Sequence, residues 1–174
     1  MKKKLLRFLG FFVLTIAWLV LMRIMTAPLD PGVVLEFEFI GTARNAVNFL
    51  SALAVTGELE LLTRSIFLDF IFPFLYGATL YYATAWICGK LSLGHIFNKL
   101  RNISVLITIA VICDLFENLS LFKLIYYPPE DFYAYSAYFL AAVKFIMLGL
   151  IISHFILSVL VVLVESKKRQ RINK

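Results

Sequence analysis

Ile103-Ser-Val-Leu-Ile-Thr-Ile-Ala-Val-Ile-Cys-Asp-Leu-Phe-Glu-Asn-Leu-Ser-Leu-Phe122 holds two carboxylates and an amide, Asp114, Glu117 and Asn118, inside an apolar run. The run is long enough to cross a hydrocarbon core, which takes about 20 residues of helix. Ionised side chains at that depth are expensive and face other helices, water or a ligand rather than lipid. At about 100° per residue the three polar groups cover roughly 100° of one helix face. The segment therefore predicts a membrane helix with one functional or structural polar face. It locates a site without naming an activity.

The rest of the chain has the same character. Of 174 residues, 61% are hydrophobic and 16% charged, with a mean hydropathy of +0.89. An average soluble domain is about half apolar and a quarter charged. Four runs have spanning length, at about 5–25, 66–88, 103–125 and 135–163. The last exceeds the minimum and so tilts or projects beyond the core. Short connections predict antiparallel neighbours, so the expected fold is an all-α integral membrane protein, a four-helix up-down bundle forming a single membrane domain over 1–174.

The net charge of +6 is distributed for a membrane, not for nucleic acid. Lys2, Lys3, Lys4 and Arg7 precede the first run, and Lys90, Lys99 and Arg101 lie between the second and third. Lys167, Lys168, Arg169, Arg171 and Lys174 follow the fourth. The other connections carry Asp30, Glu36, Glu38, Glu58, Glu60, Glu130 and Asp131, with Arg44 and Arg64 as their basic residues. An even number of spans puts both termini on one side, and the positive-inside rule makes that side the cytoplasm of a bacterial inner (plasma) membrane. The first run also has the outline of a cleavable signal, but Arg23 and Pro28 flank the candidate site at Ala27, and cleavage would leave an odd number of spans.

The connection 26–65 is predicted to be an ordered cap on the extracytoplasmic side. Thr42-Ala-Arg-Asn-Ala-Val-Asn-Phe-Leu-Ser-Ala-Leu53 reads as a short amphipathic helix, with Thr42 as N-cap, Ala46, Phe49, Leu50 and Leu53 on one face, and Gly57 as its end. Glu58–Arg64 is expected to begin a further helical turn leading into the second run. Val34-Leu-Glu-Phe-Glu-Phe-Ile40 alternates apolar and acidic residues, the pattern of a half-buried extended segment. Tyr126-Tyr-Pro-Pro-Glu-Asp131 is a turn, because consecutive prolines cannot continue a helix. The tyrosines around it, Tyr126, Tyr127, Tyr133, Tyr135 and Tyr138, fit an interfacial aromatic belt. Cys88 and Cys113 stand alone, without the C-x-x-C of disulfide chemistry, and read as small buried residues.

The second run offers a stripe matching that of the third: Asp69, Pro73, Tyr76, Gly77, Leu80 and Thr84 lie within about 80° of one direction. Lys144 is the lysine well inside the fourth run. The expected ligand-binding set is Asp69, Tyr76, Asp114, Glu117, Asn118 and Lys144, in the outer half of the bundle, with Asp114 and Glu117 the candidates for acid/base catalysis. Two readings compete. In one, Lys144 clamps Glu117 or Asp114 and Asn118 bonds a neighbouring helix, polar glue contributing about 0.5–2 kcal/mol per bond. In the other, the group floors an outward-opening pocket, and its excess negative charge favours a cation, a proton or a donor-rich ligand. Asp69, Asp114, Glu117 and His154 are metal-ligand types, but His154 falls at least about one turn inward of the carboxylates, and Glu-x-x-His is missing. No metal and no cofactor is expected; a haem would lack a second intramembrane histidine.

Leu68-Asp69-Phe-Ile-Phe-Pro-Phe-Leu-Tyr76, Asp114-Leu-Phe-Glu-Asn118 and Phe37-Glu-Phe39 resemble segments of a group of small four-span bacterial inner-membrane proteins of uncharacterised function. The resemblance covers most of the chain and implies no activity. The architecture is also similar to that of four-span eukaryotic sterol-binding and isomerase proteins, with acidic residues in an intramembrane pocket, though none of that family's motifs is present. The expected function is to bind, or help move, a small amphipathic or lipid-like ligand. A membrane enzyme on a lipidic substrate is the alternative, and an assembly subunit pairing its charges with a membrane partner the third. Membrane lipid, and for a carrier a homo-oligomer, are the expected partners, since no inverted repeat is visible.

Overall fold

A computed structural model describes residues 2–91, 94–99 and 102–172, with backbone alone for 99 and 167–172. Arg101, Lys174 and the side chains of the C-terminal basic cluster lie outside the described residues. The described chain is helical throughout: α1 Lys2–Thr26, α2 Pro31–Glu38, α3 Ala43–Thr56, α4 Leu59–Asp69, α5 Phe72–Cys88, α6 Ile96–Lys99, α7 Ile103–Tyr126 and α8 Asp131–Ile172. Three helices are long and apolar enough to cross a membrane, namely α1, α7 and the Asp131–Ser166 part of α8. A fourth candidate is the pair α3 and α4, bent by 115° and together sufficiently apolar for a broken span or a re-entrant loop.

The four longest helices run antiparallel to their neighbours. Along α1 and α5, Phe8 stacks on Trp86 and Phe11 on Tyr82, Thr15 and Thr79 share a 2.8 Å hydroxyl hydrogen bond, and Trp18 donates to the Leu68 carbonyl. Numbers that rise on one helix fall on the other. Likewise α7 and α8 meet through Leu121 and Leu124 with Ala134 and Ala137 at one end, and Ile103 and Ile107 with Ile151 at the other. α5 packs between α1 and α7. α1 buries only Thr15 and Thr26, so its attachment rests on hydroxyls and ring stacking while its leucines and isoleucines face outward.

Close approach of α5 and α7 depends on Gly77, where a Cβ would stand 2.7 Å from Val111 Cγ2. Gly77→Ala is expected to destabilise by about 1–3 kcal/mol through overpacking. Val111→Ala in the same chain should restore most of the loss in a thermal-unfolding series; a Tm unchanged by Gly77→Ala would mean that the helices separate freely.

The predicted helix of the cap is present as α3. Thr42 Oγ1 accepts from the Asn45 N–H at 3.2 Å, and Gly57 ends the helix in the left-handed region at φ 79°, where glycine carries no Cβ penalty. Ala46 and Leu53 are buried against α4, α7 and α8. Asp131 Oδ1 accepts from the Ala43 N–H at 2.8 Å, tying the start of α3 to that of α8.

Three elements differ from expectation. The Val34–Ile40 segment is not extended: Pro31–Glu38 is a helix, N-capped by Asp30, whose carboxylate accepts from the Gly32 N–H. Asp at the cap and Pro in the first turn start a helix, and a lone strand would leave its backbone groups unpaired at a buried interface. The second apolar run is not one helix either; it divides into α4 and α5 at Phe70–Ile71. Pro73 lacks an N–H and its ring crowds the carbonyl four residues back, which is that of Asp69, where α4 ends. α8, at 42 residues, extends beyond the expected 135–163 at both ends.

Candidate functional site

The polar residues converge beneath the cap. α7 supplies Asp114, Glu117 and Asn118, which are 2%, 0% and 1% exposed. Lys144 of α8 reaches across with its ammonium 3.1 Å from Asp114 Oδ1 and 2.9 and 2.8 Å from the two oxygens of Glu117. Asn118 Nδ2 donates to Asp69 Oδ2 at 2.9 Å, joining α7 to the end of α4. Tyr76, on the inner face of α5, is buried beside Asp114 with its hydroxyl lacking a hydrogen-bond partner. All six residues expected from the sequence thus come together.

A seventh residue was not expected. Glu38, at the end of α2, places Oε2 3.5 Å from Lys144 Nζ and is 9% exposed. The aromatic residues flanking it set its direction. Phe37 stacks on Phe49 of α3 at 5.5 Å. Phe39 meets Tyr138 edge-on and stacks on Phe145, both on α8. Burial pushes the Glu38 carboxyl above the ordinary carboxylate range, and the neighbouring ammonium pulls it back only in part. The local signal for this position is Asp30-Pro31: an N-cap followed by Pro starts the helix whose end carries Glu38 to Lys144.

Lys144 therefore touches three carboxylates, Glu38, Asp114 and Glu117. An ammonium has three protons to donate, which suits this number of partners but balances only one unit of charge. The geometry joins three parts of the fold, because α2, α7 and α8 meet at one nitrogen. A buried ion pair of this kind repays its desolvation only when the partners are all in place. The clamp is thus present in the structure. Beside it is a cavity of about 400 Å3 between α1, α2, α4 and α8, lined by Arg23, Asp30, Glu38, Ser65 and Asp69 with apolar Leu19, Met22, Val34, Leu35 and Phe145; of the six residues expected to floor a pocket, Asp69 alone lines it. Glu38 and Asp69 are the residues shared by clamp network and cavity. Arg23 donates from Nη1 to the Leu29 carbonyl at its edge.

At the opposite end His154 Nε2 is 3.3 Å from the Phe97 carbonyl, and its Nδ1 has no partner. It is not brought to the carboxylates, and among the described residues no group of His, Cys, Asp and Glu side chains converges as metal ligands. A second cavity of about 420 Å3, lined by Lys4, Thr84, Cys88, Asn98, Asn102 and Ser104 among others, lies at that end. Cys88 and Cys113 are buried free thiols. No family model, curated protein or solved structure matches the chain.

Proposed function

We propose that this chain is a four-span protein of the bacterial inner membrane, both termini cytoplasmic, that binds or helps move a small amphipathic, lipid-like molecule. Its spans are α1, α5, α7 and α8. α5 has 17 residues, about 25 Å at about 1.5 Å per residue, slightly short of a hydrocarbon core of about 30 Å. The antiparallel packing supports the assignment, since it gathers Lys2, Lys3, Lys4, Arg7 and Lys90 at one end and the acidic cap at the other. A cysteine at Asn48, exposed on α3, is expected to react with an impermeant thiol reagent added to intact cells, and one at Gly94 to be protected. The reverse labelling would invert the proposed topology.

Glu38 and Asp69, two of the three acidic residues that line a largely apolar cavity, carry the ligand reading; the third, Asp30, caps α2. Glu38 Oε2 is buried with the 3.5 Å ion pair to Lys144 and no hydrogen bond, and Asp69 is half-buried with one oxygen bonded to Asn118. Both line the cavity beside Leu19, Leu35 and Phe145, whose side chains are also exposed at the bundle surface. Polar groups at the floor and apolar groups at the mouth suit a molecule with a polar head and an apolar body. An unsatisfied buried polar group costs about 1–3 kcal/mol, which a donor on the ligand relieves. Ser65, buried on the cavity wall, provides the test. Ser65→Phe should fill the space and abolish co-purifying amphiphile, measured by mass spectrometry, while Tm stays within a few degrees. Retention of the same amphiphile would place it elsewhere.

The enzyme reading draws less support. Asp114 and Glu117 are covered and bound to Lys144, so a substrate meets them only after the cap or the lysine moves. An assembly role would use α1, which buries so little of its length, rather than charges already paired within the chain.

A further inference from the structure

The same cavity has charges of both signs, at different places, and this defines the head of the ligand further than its being polar. The inference rests on the ligand reading above. On the floor, Glu38 and Asp69 offer acceptors: Oε2 of Glu38 has only the long 3.5 Å ion pair to Lys144, which it shares with Asp114 and Glu117, and Asp69 receives the Asn118 bond on Oδ2. Ser65 Oγ is beside them on α4. At the edge, Arg23 uses Nη1 for the Leu29 carbonyl, and the guanidinium has four further N–H donors. Neither set suits a neutral or singly charged head. An alkylamine would leave Arg23 unmatched, and an acidic head would meet Glu38 and Asp69 as like charges.

We propose that the cavity takes a zwitterionic lipid headgroup consisting of a phosphodiester and a primary ammonium, the phosphate on Arg23 and the ammonium on Asp69 and Glu38. A primary ammonium provides three N–H donors for the free lone pairs of Asp69 and for Glu38, which is held by Lys144 only at 3.5 Å. It also supplies positive charge where one lysine faces three carboxylates. Phosphate oxygens accept from arginine in the forked geometry that guanidinium favours. The apolar wall of Leu19, Met22, Val34 and Leu35 lies where the glycerol and upper acyl chain would follow. A trimethylammonium head is excluded on two counts, having no N–H to give and a larger radius.

Delipidated protein in detergent is mixed with phosphatidylethanolamine, phosphatidylglycerol or phosphatidylcholine of identical chains, and retained lipid is counted by native mass spectrometry. Phosphatidylethanolamine is expected to be held about tenfold more tightly than either other lipid, the worth of about one charge-assisted hydrogen bond. Asp69→Asn should erase that preference. Arg23→Gln should weaken phosphatidylethanolamine and phosphatidylglycerol alike, and Arg23→Lys should restore part of the loss, with Tm of each variant recorded as the control for folding. Equal retention of phosphatidylcholine, or indifference to Arg23→Gln, overturns the zwitterion. Dodecylamine bound as well as phosphatidylethanolamine, and unaffected by Arg23→Gln, overturns it too but leaves an amphiphile site. Soluble phosphoethanolamine should not displace the lipid at equal concentration; displacement would assign the cavity to the free headgroup and overturn the lipid. If none of these amphiphiles is retained, the inference and the ligand reading fall together.

Discussion

Lys144→Met lowers stability by about 3–5 kcal/mol, the loss found when one member of a buried ion pair is removed and its partners are left uncompensated. Three carboxylates depend on this one nitrogen, at 2.8 Å for Glu117, 3.1 Å for Asp114 and 3.5 Å for Glu38. The loss should therefore be shared unequally. In thermal-unfolding cycles, Glu117→Gln combined with Lys144→Met should recover the most, Asp114→Asn less and Glu38→Gln least. Glu117 is fully buried and engages the ammonium with both oxygens, so it is stranded most completely. Coupling energies of neighbours in one network run from about 0.5 to 3 kcal/mol. Strict additivity with all three partners would show that the lysine does not hold the bundle together, and the clamp would have to be abandoned. The cap should respond as well. Because Glu38 leaves α2 for Lys144, the lysine variant should expose α2 and α3 to proteolysis or hydrogen exchange before α7 and α8 lose protection.

Asp69→Asn should do the opposite of Glu117→Gln. Both exchanges preserve shape and remove a negative charge, but the two residues differ in place. Glu117 has 0% exposure and is held by Lys144. Its amide leaves the ammonium with fewer acceptors and should reduce stability by about 1–3 kcal/mol with ligand retention preserved. Asp69 lies at the end of α4 on the cavity wall, and its amide keeps a bond to Asn118 by turning its oxygen towards the donor. Retention of a cationic or zwitterionic amphiphile should fall about tenfold or more with Tm almost unchanged, since one charge-assisted bond is lost. Loss of turnover with binding intact on changing Asp114 or Glu117 would move the protein to the enzyme reading. Equal loss of stability and binding at Asp69 and Glu117 would mean that clamp and cavity are one unit.

Much of this could be read from residues close together in the chain. Helix periodicity and apolar length dictate α1, α7 and α8, because a helix satisfies its backbone internally whatever surrounds it. Local capping chemistry dictates α3, from Thr42 to Gly57. The arc of Asp114, Glu117 and Asn118 follows from 3.6 residues per turn, and the cost of exposing ionised groups on an apolar helix face accounts for its burial in the bundle. Lys144 followed from being the charged residue in its run that had no route to water. Residues 30–40 carry two valid local patterns, and the stronger one decides. Val34–Ile40 has period-2 alternation, but Asp30 and Pro31 had already started a helix.

Other features belong to the tertiary structure alone. The identity of the carboxylates that share Lys144 depends on how α2 folds back over α7 and α8, and that path is set by Phe37 on Phe49 and Phe39 on Tyr138 and Phe145. No spacing within the sequence relates position 38 to position 144. The parting of Asp69 from Asp114 and Glu117, one lining a cavity and the others sealed, depends on where α4 breaks from α5 and how α1 stands off from α2. Residues within one turn are linked by covalent geometry, and the sequence states that link; residues brought together across helices are linked only by packing, where shape is decided by every neighbour at once.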